Sequence, residues 1–288
     1  MYTLIVNPTA GSGYALKVEK QLRERLESLH EAWEILHTER PGHATALARE
    51  AAGKPGCLGV LAVGGDGTAY EVACGLLDSG VPLGIIPAGT GNDFIKTAGI
   101  PRKPLDALEA ILKGTPRPVD VGRLNDRMFL NVCGTGFDVQ VLDHTLAAKR
   151  YMRGILPYLV GLLRAIFHFQ PVDVSLSMDG ESRSQQVLVC SVANGRYIGG
   201  GIPICPDAQP DDGLLDVVLV ENRPRWQIPF YLPGLLMGRI ARFRVTTHRR
   251  CREVRLASPG MRVNVDGEIF QMDEAVFSIL PGKLTLYW

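Results

Sequence analysis

The sequence predicts an α/β half with a parallel sheet over residues 1–120, joined to a mainly antiparallel β-sandwich half over residues 121–288. Two observations predict this division. Through residue 120, short apolar strands alternate with stretches of helical period, the pattern of a parallel sheet covered by helices on both faces. After Val119-Asp120-Val121-Gly122, short β-rich runs separated by turn signals take over, as in a sandwich or barrel. One helical insertion, about Val141 to His168, interrupts the second pattern.

Leu4 to Val6 reads as the first strand. Lys17 to Leu29 reads as a helix, because Val18, Leu22, Leu26 and Leu29 recur at helical spacing among charges. Trp33–His37, Leu58–Val63 and Leu83–Ile86 follow as strands, with helices at His43–Ala52 and Thr68–Leu77 between them. In the second half the expected strands are Val172–Met178, Gln186–Ala193, Leu214–Val220, Phe243–Thr247, Glu253–Ala257, Arg262–Asp266 and Val276–Leu280. Asp179-Gly180, Asp212-Gly213, Pro259-Gly260, Asp266-Gly267 and Pro281-Gly282 punctuate them as turns. Asp266-Gly267 is the strongest of these, because that dipeptide suits a two-residue hairpin turn.

Composition narrows the function. A net charge of +1 gives no bulk attraction for nucleic acid. The six cysteines lie in no CxxC pattern and mostly in apolar runs, which fits reduced core thiols rather than disulfides or zinc. The chain enters a strand at Tyr2, which leaves no room for a signal peptide. Gly154 to Phe169, the longest apolar stretch, is interrupted by Pro157, Arg164 and His168 and is too short to span a bilayer. A cytoplasmic protein, at most peripheral to a membrane, is expected.

Three glycine-rich turns follow strands of the first half. Gly64-Gly65-Asp66-Gly67-Thr68 joins a buried strand to a helix, and such a turn brings backbone N–H groups close to a phosphate. Asp66 puts a carboxylate there, which makes sense beside a cation or a reacting hydroxyl. Asn7-Pro8-Thr9-Ala10-Gly11-Ser12-Gly13 is a second phosphate-compatible turn, without the Gly-Lys-Ser/Thr of a Walker A loop. Pro87-Ala88-Gly89-Thr90-Gly91-Asn92-Asp93-Phe94 is the third; it fails as a dinucleotide fingerprint, and Asn92 or Asp93 is also a natural helix cap.

In this order, NPTAGSG, GGDGT and GTGND resemble the catalytic domain shared by diacylglycerol kinases, sphingosine and ceramide kinases and their bacterial relatives. The resemblance continues through Pro206 to Asp216 and Val265-Asp266-Gly267-Glu268, so it covers almost the whole chain. It implies an ATP-dependent lipid kinase, with diacylglycerol as the first acceptor. It implies that Asn7, Pro8, Thr9, Ala10 and Gly11 bind ATP, together with Gly65, Asp66, Gly67, Thr68, Ala69, Tyr70 and Glu71. Thr38, Thr90 and Asn92 join that set, and Asp66, Asp93 and Asp120 are similar to the family's acidic network around the phosphates. A structural Mg2+ site resembles Gln209, Asp212 and Leu214, two of them through main-chain oxygens. Family members often carry Lys where Gln209 stands. Glu268 is implied as general base, with Asp66 as the alternative.

The lipid side is expected from composition. Ile155 to Leu163 is apolar for a surface helix, and a core helix is the default reading of that pattern. Trp226 to Gly238 is aromatic and apolar, and Arg239, Arg242, Arg244, Arg249, Arg250, Arg252 and Arg255 follow it. Aromatics beside arginines suit a bilayer interface with anionic lipid. The same composition suits a homodimer face. Other readings of the chain are an NAD- or sugar-kinase-like enzyme, a kinase of another lipid alcohol, and a nucleotide- or lipid-binding protein without turnover.

Overall fold

The computed structural model describes residues 1–28, 32–148, 151–152 and 156–288. In the first part, β1 (Tyr2–Val6), α1 (Tyr14–Leu26), β2 (Trp33–His37), α2 (His43–Ala52), β3 (Gly59–Gly64), α3 (Asp66–Leu76) and β4 (Leu83–Pro87) alternate. A short α4 (Asp93–Thr97) and α5 (Pro104–Lys113) complete it. β1 pairs in parallel with both β2 and β3, and β3 with β4, in the registers Leu4↔Ile35, Leu4↔Leu61 and Ala62↔Ile85. Both faces are covered, which is why these strands are apolar without alternation. Ile5, Val60, Ala62 and Ile85 pack toward α2 and α3, while Leu4, Leu61, Val63 and Ile86 pack toward α1 and α5. Helix α1 starts three residues before the expected Lys17, after Gly13 at φ 88°; Leu29 lies outside the described residues.

The second part runs β5 (Arg117–Leu124), β6 (Arg127–Phe129), β7 (Val132–Gly136), α6 (Phe137–Ala148), α7 (Leu156–His168), β8 (Val172–Met178) and β9 (Glu181–Ala193). Then come β10 (Tyr197–Ile198), β11 (Ile202–Pro203), β12 (Leu215–Glu221), α8 (Ile228–Leu236), β13 (Thr246–Cys251), β14 (Glu253–Val265) and β15 (Glu268–Leu286). β7, β8, β9, β12, β13, β14 and β15 pair antiparallel. One core fills between them, with Phe129 and Phe277 edge-to-face at 6.2 Å. A second core lies between β9 and β12 and the helices α6, α7 and α8, through Val189, Val218, Phe137, Ala165 and Ile228.

Several expectations are corrected here. The helical insertion is two helices, and it begins at Phe137 rather than Val141. Pro259-Gly260 and Pro281-Gly282 are bulges inside strands, not turns between them. Gly260 and Gly282 take φ of 63° and 59°, so the extra residues loop out while the ladder resumes beyond them. The strands expected at 253–257 and 262–266 are therefore one strand, β14, and 276–280 is the middle of β15. β13 starts later than Phe243, because Phe243 instead stacks edge-on against Tyr231 at 5.3 Å.

β15 is what joins the two parts. Asp266 and Gly267 turn the chain at φ 46° and 99°, with Val265 opposite Glu268. The strand then pairs with β5, and its end at Leu286 lies parallel to β4 at Leu83. Leu284 and Leu286 enter the core that holds Val60 and Ile85. The boundary expected at 120/121 thus falls inside β5, and the last strand crosses back over it.

Two carboxylates lock this arrangement, Asp120 buried and Asp266 half-buried. Asp120 accepts the N–H of Gly213 at 2.7 Å and of Gly282 at 2.8 Å, one on each oxygen. Asp266 accepts the N–H groups of Leu130, Val132 and Asn131 at 2.7, 2.9 and 3.1 Å. Burial still pushes the Asp266 carboxyl up to about 6 against those three donors.

Asp120→Ala leaves two inward N–H groups without a partner, so we expect a loss of about 2–4 kcal/mol. Thermal melting checks this, and an unchanged midpoint would show that the joint is not needed. For Asp266 the sign is opposite to that of a salt-bridged acid. The folded state holds its proton more tightly than the unfolded chain, so its contribution to stability falls as pH rises from about 4 to about 6 and is level above. The stability of the parent relative to Asp266→Asn should therefore drop by about 1–3 kcal/mol between those pH values. Denaturant titrations at pH 4, 5, 6 and 7 measure that difference.

Candidate active site

The three glycine turns lie together at the carboxyl ends of β1, β3 and β4, where open parallel sheets place their ligands. Asn7 organises the first. Its Oδ1 accepts the N–H and hydroxyl of Thr9 at 3.1 and 2.9 Å, and its amide donates to Thr68 Oγ1 at 3.1 Å. Gly11 sits at φ 57°, where a Cβ would run into the Ala88 carbonyl. Gly65 and Gly89 press backbone against backbone, since a Cβ on Gly89 would collide with the Gly65 Cα. Only glycine permits this approach, and it fuses the second and third turns into one surface.

Asp66 opens α3. Its Oδ1 accepts the N–H groups of Asp93 at 2.7 Å and Phe94 at 3.1 Å, which caps α4 across a gap of 27 residues in sequence. Asp66 Oδ2 faces Gly91, 2.9 Å from where a Cβ there would stand. Burial raises the Asp66 carboxyl above its ordinary range, the two N–H groups lower it, and the charge of Asp93 raises it again. Asn92 takes φ 51° and donates to Gly89 O at 2.8 Å, so it shapes the turn.

Asp93 is buried, and its oxygens meet Lys96 Nζ and the N–H of Gly200, each at 2.8 Å. It ties the third turn to the second part of the chain. The structure brings Asp66 and Asp93 together but places Asp120 at a separate joint, with its oxygens on Gly213 and Gly282. Two further members of the expected set serve the fold. Ala69 is 3% exposed in the core, and Glu71 Oε2 accepts the N–H of Ala44 at 3.1 Å, at the start of α2. Thr38 follows β2 and bonds back to Val6 O at 2.9 Å, beside the first turn. Pro8 and Ala10 lie within that turn, and Thr90 and Gly67 lie in the other two.

Gln209, Asp212 and Leu214 share one loop before β12. Asp212 Oδ1 accepts the Leu214 N–H at 3.0 Å, and Oδ2 meets the Arg250 guanidinium. Among the described residues, no group of three or more His, Cys, Asp or Glu is placed to hold a metal. Of these three residues only Asp212 carries a carboxylate, and Arg250 already faces it. This donor set does not fit a built magnesium centre, because Arg250 supplies the positive charge that the acid requires.

A cavity of about 570 Å³ opens between the two parts. Asp66, Tyr70, Thr90 and Asp93 line it from the first part, and Asn131, Asp138, Asn264 and Asp266 from the second. Beyond these the wall is apolar, formed by α6, α7, α8 and neighbouring strands. Glu268 is exposed one residue beyond the cavity wall at Gly267. Burial raises the Tyr70 hydroxyl above its ordinary value, and Cys74, Asp266 and Glu268 add to the effect. Tyr70 therefore stands where the first part meets the β14–β15 hairpin.

Sequence reasoning missed Asn131, Asp138, Asn264 and Asp266 as cavity residues. Asp138 had a legible signal, because Gly134-Thr135-Gly136-Phe137-Asp138 is a fourth glycine-bearing strand-to-helix junction. Asn264 and Asn131 had none. Tyr158 and Leu162, from the apolar helix, also line the cavity, whereas Ile155 lies outside the described residues.

Residues 1–124 match the family model described as diacylglycerol kinase catalytic domain. Residues 131–288 match the YegS C-terminal NAD kinase beta sandwich-like domain. A diacylglycerol kinase of Mycobacterium tuberculosis is 30% identical over 98% of this chain and 93% of its own length. A probable YegS-like lipid kinase of Pseudomonas putida is 34% identical over 85% of this chain and 82% of that protein. A crystal structure of a putative diacylglycerol kinase from Bacillus anthracis superposes with a TM-score of 0.80 at 28% identity, covering 100% of this chain and 96% of that one. The glycine turns at the carboxyl ends of the parallel strands, the shared cavity and these matches lead to one assignment: the chain belongs to the family of diacylglycerol kinases and YegS-like lipid kinases.

Proposed function

We propose that this protein transfers the γ-phosphoryl group of ATP to the hydroxyl of a lipid, and diacylglycerol, named for several relatives, is the reference acceptor. The observation that carries the reading is the continuity of the cavity. One end is the surface of fused glycine turns around Asp66, and the rest is an apolar chamber. The first suits phosphates at a helix N-terminus, and the second suits an acyl chain. Asp66, whose Oδ2 faces the turn surface at Gly91, would hold a magnesium ion accompanying the nucleotide's phosphates, and the ion would supply charge neutralisation there. Phosphoryl transfer then needs in-line placement, charge neutralisation and removal of one proton. Glu268 approaches from the opposite side as the base.

The acceptor enters from a bilayer in this reading. Trp226 is 68% exposed and Phe230 70% exposed, next to an α8 that lines the chamber through Leu232 and Leu235. Phe167 and Leu163 extend the same apolar surface along α7, and Arg225 donates to Phe167 O at 3.3 Å. No helix among the described residues is long and apolar enough to cross a membrane. Peripheral docking on an anionic cytoplasmic leaflet fits this surface.

Asp66→Asn should lower transfer by a factor on the order of 10² or more, with ATP affinity reduced far less. Glu268→Gln should keep ATP affinity and lose single-turnover transfer. Near-normal transfer by the Gln variant would move the base role to Asp66.

The double change Trp226→Asp and Phe230→Asp should abolish cosedimentation with vesicles containing phosphatidylglycerol. Phosphorylation of a short-chain acceptor in solution should remain. A shift from dimer to monomer instead, with vesicle binding intact, would make this surface a homodimer face.

A further inference from the structure

Helix α3 presents Asp66 and Tyr70 to the cavity. Asp66 opens the helix, and Tyr70 follows one turn later, about 6 Å along the axis on the same face. Helical side chains lean toward the N-terminus, so the Tyr70 ring leans toward the glycine turns. The core of the first part packs against that ring and fixes it. From the other side the cavity is lined by Asp266 and Gly267 of the β14–β15 hairpin, and the charges of Asp266 and Glu268 reach the phenol. The hydroxyl therefore stands between the phosphate turns and the hairpin. Phosphates at a helix N-terminus meet the N–H groups of its first turn, and Tyr70 lies beyond them, on the acceptor side.

The polar wall around Tyr70 is rich in acceptors and poor in donors. Asp66, Asp93 and Asp266 bring carboxylates. The amides of Asn131 and Asn264 already bond to Tyr197 O at 2.6 Å and Asp138 Oδ2 at 3.4 Å. The Tyr70 hydroxyl meets the Cys74 thiol one turn further on, and sulfur is a weak partner in either role. Burial above all, then Cys74, Asp266 and Glu268, raise the phenol above its ordinary value, so it stays protonated and able to donate. An oxygen that enters beside it finds a strong donor.

Phosphoryl transfer creates the need for one. The lipid hydroxyl oxygen forms a bond to the γ-phosphorus, the bond from that phosphorus to the β–γ bridging oxygen breaks, and its electron pair leaves with ADP. The hydroxyl proton passes to Glu268. An oxygen losing its proton among carboxylates is repelled by them, and a fixed neutral donor offsets that repulsion.

We propose that Tyr70 is an acceptor-positioning residue, whose hydroxyl donates a hydrogen bond to the lipid oxygen that attacks the γ-phosphorus. This role rests on the lipid-kinase reading and adds one contact within it.

Tyr70→Phe tests it, because Phe keeps the ring and its packing and removes only the donor. The acceptor is a total lipid extract in mixed micelles, so the outcome does not depend on which lipid is the substrate, and γ-labelled ATP reports transfer. At saturating extract, kcat per nucleotide-binding site should fall about three- to tenfold, the worth of one neutral hydrogen bond. The KM for ATP should stay at the parent value. Counting sites by bound nucleotide removes any misfolded fraction from the comparison. An unchanged kcat would show that the ring only packs, and a loss confined to the KM for ATP would make Tyr70 a nucleotide contact. Either result overturns the proposal and leaves the kinase reading intact. No labelling of the extract by the parent would remove both.

Discussion

The structure depends on carboxylates of one segment satisfying backbone N–H groups of another. Asp66 does this for the start of α4, Asp93 for Gly200, Asp120 for Gly213 and Gly282, and Asp266 for the three residues leading into β7. Irregular backbone near a cleft has no ladder of its own, and an unpaired buried N–H is costly. An ionised acid accepts several such groups at once and holds the loops without a regular element. Three of these four acids bridge the two parts of the chain or their shared strand, so the cleft and the domain joint are built by the same means.

This device also decides which acids are available for chemistry. Asp120 has a protein donor on each oxygen, and Asp93 has Lys96 and Gly200. Asp66 keeps Oδ2 directed at the turn surface, and Asp138 keeps Oδ1. An acid can be buried for stability or for function, and counting donors on each oxygen separates the two.

β15 gives the cleft its rigidity. A single strand that starts at the Asp266-Gly267 hairpin and ends beside β4 fixes the distance between the hairpin and the glycine turns. The bulge at Pro281-Gly282 lets it bend from one part to the other, and Asp120 binds the Gly282 N–H at that bend. The tail beyond it is held too, with the Tyr287 hydroxyl donating to Leu58 O at 3.0 Å.

The sequence by itself determined the local elements and the phosphate-type turns. Strands β1 to β4 are short apolar runs, α2 is an alanine-rich amphipathic stretch, and glycines at 65, 67, 89 and 91 announce close backbone approach. Those are short-range properties, set by side-chain period and by the missing Cβ. Only the tertiary structure decided what each acid faces, because that depends on segments 27 to 162 residues apart. It also decided that two proline-glycine pairs are bulges, since a turn and a bulge differ only in whether the partner strand continues beside them. That one chamber lies between the two parts was likewise not legible in the sequence, although two of the apolar segments that line it were. Its wall is assembled from α6, α7, α8 and distant strands, and an apolar residue looks the same whether it meets a core or a cavity.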